Sequence, residues 1–410
     1  MTRRVVVTGM AGLSPIGLSW ETVYESLKAQ RSAVQIMPEW QEIDGLRTHV
    51  AAPIENFELP QHYNRKAIRS MGRVSLLATR SAELALEDAG LLGTSYVTDG
   101  RMGVAYGSGT GSPSAHQVFF ESIYVHKRLK GISSTTYIQM MSHTCVANLG
   151  HFFKLKGRII PTCSACTSGS QGIGYAYESI KYGLQDFMIA GGAEELSVSE
   201  AVMFDVLYAT SVNNQNPKQT PAPFDKNRDG LVIGEGAATL ILEDLETAQS
   251  RGAKIYAELL GYGANSDGEH LTAPAVSGMK KVMELALEDA NLPAEAIGYL
   301  NAHGTATEVG DIAETAATNM VFGDRIPISS LKGHFGHTMG ACGALETWMT
   351  LQMARENWFA PTLNLHEVDS RCAKLDYLQD EGRQLEVEYV MCNNFAFGGV
   401  NTSLIFKKWN

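Results

Sequence analysis

Short apolar runs alternate with stretches of helical spacing along the whole chain, the pattern of an α/β protein. A strand is expected at residues 5–8, a helix over 20–30, and one long helix or two over 64–90, closed by Gly90. Residues 38–60 show neither period and are expected to run irregularly over the surface. A strand at 102–106 runs into Gly107-Ser108-Gly109-Thr110-Gly111, helices follow near 116–127 and 145–153, and a strand is expected at 187–190. The glycine run lacks the Lys-Ser/Thr that a phosphate-binding loop carries, so it reads as a turn.

The stretch between these elements is the one that carries chemistry. Arg158, Ile159 and Ile160 enter Pro161-Thr162-Cys163-Ser164-Ala165-Cys166-Thr167-Ser168-Gly169-Ser170, and Ile173, Ala176, Tyr177 and Ile180 leave it at helical spacing. That predicts a strand, a sharp turn and a helix, with Cys166 at or just before the helix N-terminus. Unpaired amides and the helix dipole favour a thiolate there, and a reactive thiol on a rigid junction suits covalent acyl transfer. Against that stands the common fate of a free cysteine, which is to pack as a small buried hydrophobe.

The second half of the chain repeats the first. Gly234-Glu235-Gly236-Ala237-Ala238-Thr239-Leu240-Ile241-Leu242 resembles Gly398-Gly399-Val400-Asn401-Thr402-Ser403-Leu404-Ile405-Phe406, each a glycine turn feeding an apolar strand. Residues 297–302 stand where 102–106 stand, and 326–329 with a small-residue helix at 340–353 echo the Cys166 turn. Duplicated βα halves are expected, 1–252 with the cysteine and 253–410 with two histidine stretches, divided near 251–254 without a flexible linker.

Composition narrows the class. The 410 residues carry 44% hydrophobic residues and 40 glycines, as a packed enzyme with many tight turns does. A net charge of −11 argues against general nucleic-acid binding, which needs clustered positive charge. Six scattered cysteines do not make a disulfide framework, and the lone Cys163/Cys166 CxxC lacks a second pair for a structural metal. Arg3 and Arg4 before Val5-Val6-Val7 mimic a leader, but Gly9, Gly12, Pro15 and Gly17 break the apolar run. No stretch approaches the roughly 20 apolar residues of a membrane helix, so a cytoplasmic protein is expected.

Two histidine stretches join Cys166. Asn301-Ala302-His303-Gly304-Thr305-Ala306-Thr307 puts a histidine at a strand end, and Ser329-Ser330-Leu331-Lys332-Gly333-His334-Phe335-Gly336-His337 puts Lys332 and His337 in a turn before a helix. Either histidine alone would more often be structural. Metal binding by His334 and His337 lacks a nearby carboxylate at ligand spacing.

Together with Pro223-Phe224-Asp225-Lys226-Asn227-Arg228-Asp229-Gly230 and Cys392-Asn393-Asn394-Phe395-Ala396-Phe397-Gly398-Gly399, these stretches resemble the elongating β-ketoacyl-acyl carrier protein synthases over nearly the whole chain. The resemblance implies a thiolase-like fold of five αβαβα layers, normally a homodimer, with a Cys-His-His site and no metal or other cofactor. Cys166 would accept the acyl group, and His303 and His337 would drive malonyl decarboxylation. Lys332 would organise the site electrostatically, with Asp311 and Glu314 behind it. Thr305 and Thr307 resemble the threonines that hold the phosphopantetheine arm. Phe397 resembles the gating phenylalanine, its N–H joining that of Cys166 in an oxyanion hole. Residues 265–274, with Asp267, His270 and Thr272, resemble a mobile second gate.

The resemblance also frames the alternatives. Related chain-length factors keep the fold without the nucleophile, and pairing with such a partner is an alternative to the homodimer. Degradative thiolases use a second cysteine, for which Cys392 is the candidate by position, and a thiol hydrolase would leave the paired histidines without purpose. Cys163 is expected to be a core thiol or, failing that, a disulfide partner. Details at Met71-Gly72-Arg73, Gly191-Gly192-Ala193-Glu194-Glu195 and 393–397 are closest to ketosynthases of bacterial aryl-polyene pathways. The implied partner is an acidic acyl carrier protein. Arg65, Arg69 and Arg73 would share one helix face with Lys66 at its flank, and Lys127-Arg128-Leu129-Lys130 forms a second basic cluster.

Overall fold

The computed structural model describes residues 2–409. Eleven strands make its framework: β1 (Val5–Leu13), β2 (Met102–Gly107), β3 (Ile159–Thr162), β4 (Phe187–Glu194), β5 (Gly236–Asp244), β6 (Ala257–Ser266), β7 (Ile297–Asn301), β8 (Pro327–Ser329), β9 (Asp376–Tyr377), β10 (Tyr389–Ala396) and β11 (Val400–Lys408). They lie side by side in the order β3-β2-β4-β5-β1-β6-β11-β10-β7-β8-β9. Reading outward from the centre, β1-β5-β4-β2-β3 is matched by β6-β11-β10-β7-β8, with β9 as an extra edge. Pairing types match too. β2 is parallel to β3 and β4, as β7 is to β8 and β10. The edge strand β9 is parallel to β8, the remaining pairs are antiparallel, and the halves join where Val5 of β1 faces Leu259 of β6.

Helices fill the faces of the two halves. α1 (Arg73–Asp88) packs on β1 and β5 from outside, and α3 (Val276–Ala290) packs on β6 and β11, with α4 (Glu308–Phe322) beside it. Between the halves run α2 (Ser168–Lys181) and α5 (Cys342–Arg355), which touch strands of both. The layers are therefore α, β, α, β, α. The duplication reaches single glycines. A Cβ on Gly9 would stand 2.3 Å from the Ala85 carbonyl of α1, and one on Gly261 would stand 2.3 Å from the Ala286 carbonyl of α3. Helix and strand backbones touch at both points, which only a residue without a side chain permits.

α5 is buried on every side from Cys342 to Ala354, as a helix enclosed between the two halves of the sheet must be. Its small residues meet those of α2: a Cβ on Gly169 would lie 2.9 Å from the Gly340 carbonyl and 3.0 Å from the Ala344 amide. Close backbone packing of these central helices fixes the site, since α2 follows Cys166 and α5 follows His337.

Several expected elements change in detail. β1 runs on to Leu13 with a bulge between Val7 and Gly9. The 64–90 region forms two helices, Arg65–Ile68 and α1, because Met71-Gly72 leaves the helical path between them. The helix near 116–127 is shorter, Pro113–Phe120, followed by one π turn. Residues 38–60 are not all surface. Val50–Ala52 is a buried strand parallel to Ile233–Gly234, and Trp40 is buried as well. Its apolar run is too short for periodicity to reveal. Residues 251–254 form the turn between the helix Leu245–Ser250 and β6.

Candidate active site

Cys166 sits in the turn between β3 and α2, two residues before the helix begins at Ser168. The turn is sharp because Ala165 takes a left-handed conformation at φ 49°. A non-glycine residue there costs about 1–3 kcal/mol and persists only when neighbours over-determine it. Here they do: the Ser164 N–H donates to Ser168 Oγ at 2.9 Å, and the N–H groups of Thr167 and Ser168 donate back to the carbonyls of Ser164 and Ala165. The helix end was expected to favour a thiolate. Burial outweighs it and pushes the Cys166 thiol up to about 12, against the pull of Lys332, so the resting group is a thiol.

His337 Nε2 lies 3.0 Å from Cys166 Sγ. Its backbone is held by exchange with β-bridged residues, its N–H donating to Val232 O and its carbonyl accepting from Gly234. The Met339 N–H donates to Nδ1 at 3.3 Å, which leaves the ring proton on Nε2, facing the sulfur.

His303 follows β7, and its ring stands nearly perpendicular to that of His337 with centroids 5.2 Å apart. Two donors address its Nδ1 at 3.4 Å, Lys332 Nζ and Asn394 Nδ2, so the proton again sits on Nε2. Burial holds both imidazoles well below their ordinary pKa, and Lys332 adds to the effect. Both rings are therefore neutral N–H donors.

Lys332 is fully buried and donates to the His303 carbonyl. Its counter-charge is Glu346 on α5, whose other oxygen accepts from Asn394 at 2.9 Å. Burial opposes the ammonium, but Glu346 holds it charged and raises its pKa. Neither Glu346 nor Asn394 was singled out in the sequence, although an acidic residue inside a small-residue helix signals a buried partner. Asp311 and Glu314, expected behind Lys332, both point from α4 at loop backbone, and the charge of Glu314 adds to the effect that raises the Lys332 pKa. Glu314 accepts the N–H groups of His303 and Gly304 at 2.7 Å each. Asp311 accepts those of Phe224 and Ala306 and faces Arg228 at 3.4 Å.

A cavity of about 450 Å³ leads from the surface to Cys166, His303 and His337, and Thr305, Thr307, His270, Thr272 and Phe397 line it. The hydroxyls of Thr305 and Thr307 are 2.9 Å apart. Phe397 packs on Phe204 with ring centroids 5.5 Å apart. The two expected gate segments are tied to each other: the Gly398 N–H donates to Leu271 O, and that of Asp267 to Gly399 O. His270 Nδ1 accepts the N–H groups of Thr272 and Ala273.

Other expectations need correction. Arg73 does not continue a basic face with Arg65 and Arg69. It starts a separate helix and forks onto buried Glu235 at 2.7 and 2.8 Å. Arg65, Lys66, Arg69, Lys127 and Arg128 are exposed. Cys163 is not a core thiol. It is exposed, precedes the turn, and donates to Gly109 O at 3.2 Å. His334 is buried between the carbonyls of Arg31 and Pro361, away from His337's partners. Cys392 is buried on β10 outside the cavity lining, whereas Cys342 donates to the carbonyl of Cys166 at 3.2 Å. Among the described residues, Cys166/His303/His337 and His303/Cys342/Glu346 are trios whose metal-ligand atoms lie within 4.8 Å of one another.

Comparison with known proteins agrees with this geometry. Residues 2–248 match the family model "Beta-ketoacyl synthase, N-terminal domain", and 256–366 match "Beta-ketoacyl synthase, C-terminal domain". The chain is 40% identical to 3-oxoacyl-[acyl-carrier-protein] synthase 1 of Haemophilus influenzae over the full length of both. To the enzyme of the same name from Escherichia coli K12 it is 37% identical, over 99% of each chain. A crystal structure of a beta-ketoacyl synthase from Burkholderia phymatum superposes with a TM-score of 0.98 at 55% identity, covering all of both chains. The ishigamide ketosynthase/chain length factor superposes at 0.89 with 30% identity, again over both full chains.

Proposed function

The chain belongs to the β-ketoacyl synthases, and from that premise we propose that it joins an acyl group held on Cys166 to a malonyl unit delivered by acyl carrier protein. The acyl thioester exchanges onto Cys166: a new C–S bond forms, the carrier's C–S bond breaks, and the thiol proton leaves with the pantetheine sulfur. The Nε2–H of His337 and the charge of Lys332 favour the developing thiolate.

Malonyl thioester then loses CO₂ and leaves an enolate. Two neutral Nε2–H donors, on His303 and His337, stabilise its oxygen without carrying a charge that the cavity would have to desolvate. The carbanion attacks the acyl-cysteine carbonyl, the C–S bond breaks, and a β-ketoacyl product two carbons longer departs. The N–H groups of Cys166 and Phe397 are the oxyanion donors in this scheme. The thiolate left on Cys166 takes up one proton from water, which restores the resting thiol, and with that the reaction balances without metal or redox cofactor.

The observation that carries this reading is the His337 Nε2–Cys166 Sγ contact of 3.0 Å beside a His303 ring fixed by the Lys332–Glu346 pair. It also favours an enzyme over a chain-length-factor role. Intact-mass analysis with an acyl-carrier donor tests it: one acyl adduct, lost in Cys166→Ala and kept in Cys163→Ala. An adduct surviving Cys166→Ala would overturn the assignment.

Finer points belong to the same reading. The enzyme serves fatty-acid-like or aryl-polyene chain building in the cytoplasm, and competition among saturated, polyenoyl and aryl-primed donors read by mass spectrometry decides between those pathways. It works as a homodimer. Supporting that is an exposed apolar patch of Val118, Phe120, Tyr124, Val125 and Leu129, which a second copy would cover. Light scattering of the purified chain, alone and with a ketosynthase-like chain-length factor, separates homodimer from heterodimer.

A further inference from the structure

The cavity mouth holds a residue that the folding of its own segment does not call for. The helix Val198–Asp205 ends in a Schellman turn: the Tyr208 N–H donates to Asp205 O and the Ala209 N–H to Phe204 O, both at 3.0 Å. That closure needs a left-handed residue, a place glycine takes most often. Tyr208 occupies it at φ 57° and leaves 78% of its surface exposed. Its ring therefore contributes little to the core, and its Cβ makes the turn harder to form.

The ring is nevertheless held in place. The Arg47 guanidinium stacks on it at 4.1 Å, and Arg47 is itself fixed by the main chain and carboxylate of Asp205. A cation on an aromatic face is an attractive contact that orients the ring. Tyr208 borders the same cavity as Cys166, and exposed Leu271 and Val309 stand on its lining as well. A strained backbone, an anchored ring and an exposed face coincide on the exposed lining of the cavity that reaches the thiol. Strain kept at such a point indicates use.

We propose that Tyr208 is a substrate-binding residue of this entrance, its free face receiving the branched alkyl and amide portion of the phosphopantetheine arm. The inference rests on the ketosynthase reading above. Its contribution lies in holding the thioester, so it bears on KM more than on turnover.

The test is kinetics and thermal melting of Tyr208→Gly and Tyr208→Phe with acyl- and malonyl-pantetheine, after wild-type acylation of Cys166 by acyl-pantetheine has been shown by mass. Absence of that wild-type adduct would count against the ketosynthase reading itself. With it present, Tyr208→Gly should melt no lower than wild type while its KM for the pantetheine thioesters rises at least fivefold and kcat changes less than twofold. Tyr208→Phe, which keeps the ring, should restore KM to within twofold. Unchanged KM in Tyr208→Gly overturns the proposal. So does a lower melting temperature with equal losses in kcat and KM, which would mark a structural residue. A KM rise seen with carrier protein but not with free pantetheine would place the contact on the carrier and overturn it too.

Discussion

His303 and His337 owe their neutrality to burial and their orientation to what holds each Nδ1, a lysine and an asparagine in one case and a backbone amide in the other. In the proposed mechanism each then offers an Nε2–H to an enolate. His303→Ala and His337→Ala should each lower malonyl-carrier decarboxylation by about two to four orders of magnitude. Cys166→Gln should keep it while abolishing condensation. Release of CO₂ measured apart from product formation checks both, and normal decarboxylation in both histidine variants would exclude the mechanism. His334 titrates for a different purpose. Burial pushes its pKa down to about 4, against the hydrogen bonds to the Arg31 and Pro361 carbonyls. The unfolded chain, near 6.5, therefore binds more protons below that pH. Stability falls as pH drops from about 6.5 to about 4, by about 3 kcal/mol over the whole window. Urea unfolding across that range should show a shallower decline for His334→Gln, and equal slopes would mean that His334 binds protons alike in the folded and unfolded chain.

At the scale of elements, the site depends on two central helices packed closer than side chains allow. Gly169 lies three residues after Cys166 and faces the backbone of Gly340 and Ala344. Backbone atoms cannot step aside as a flexible side chain can. Gly169→Ala should therefore destabilise the protein by about 1–3 kcal/mol, the usual cost of overpacking a tight core. It should also displace the Cys166 turn. A lower melting temperature with slower acylation of Cys166 is expected, and a variant matching wild type in both would show that α2 and α5 can separate freely. The elbow itself was legible because its apolar strand, small-residue turn and helical spacing are contiguous. The partner of Lys332 was not, because Glu346 lies fourteen residues away on a different element.

For the whole molecule the question is how a chain of net charge −11 attracts an acidic carrier. Local fields decide, since screening removes distant charge at physiological salt. Arg65 and Arg69 stand exposed around the short helix Arg65–Ile68, and Lys127 and Arg128 form a second exposed group. Changing Arg65 and Arg69 together to Glu should raise KM for acyl-carrier substrates at least tenfold and leave small pantetheine thioesters nearly unaffected. The wild-type advantage should shrink at high salt. Equal losses on both substrate classes would mean damage to the fold or the site. Arg73 is no longer part of that surface: its removal strands buried Glu235 and should lower stability instead.

The sequence by itself determined the duplicated α/β plan and the strand–turn–helix around Cys166, while the family resemblance of its motifs implied which histidines and lysine join that turn. The strands, helices and the elbow are signalled within contiguous windows, where periodicity and turn chemistry act through the local backbone. It could not show that Arg73 leaves the basic face, because Met71-Gly72 interrupts the helix and Glu235 reaches it from another strand. Nor could it place Glu346 and Asn394 against Lys332, or set Cys166 so deep that burial overrides the helix end. Tyr208 gave no signal either, since its left-handed turn and its position at the cavity mouth exist only once the chain is folded. Burial, charge pairing and the opening of a cavity are properties of residues brought together from distant elements, and only the tertiary structure decides them.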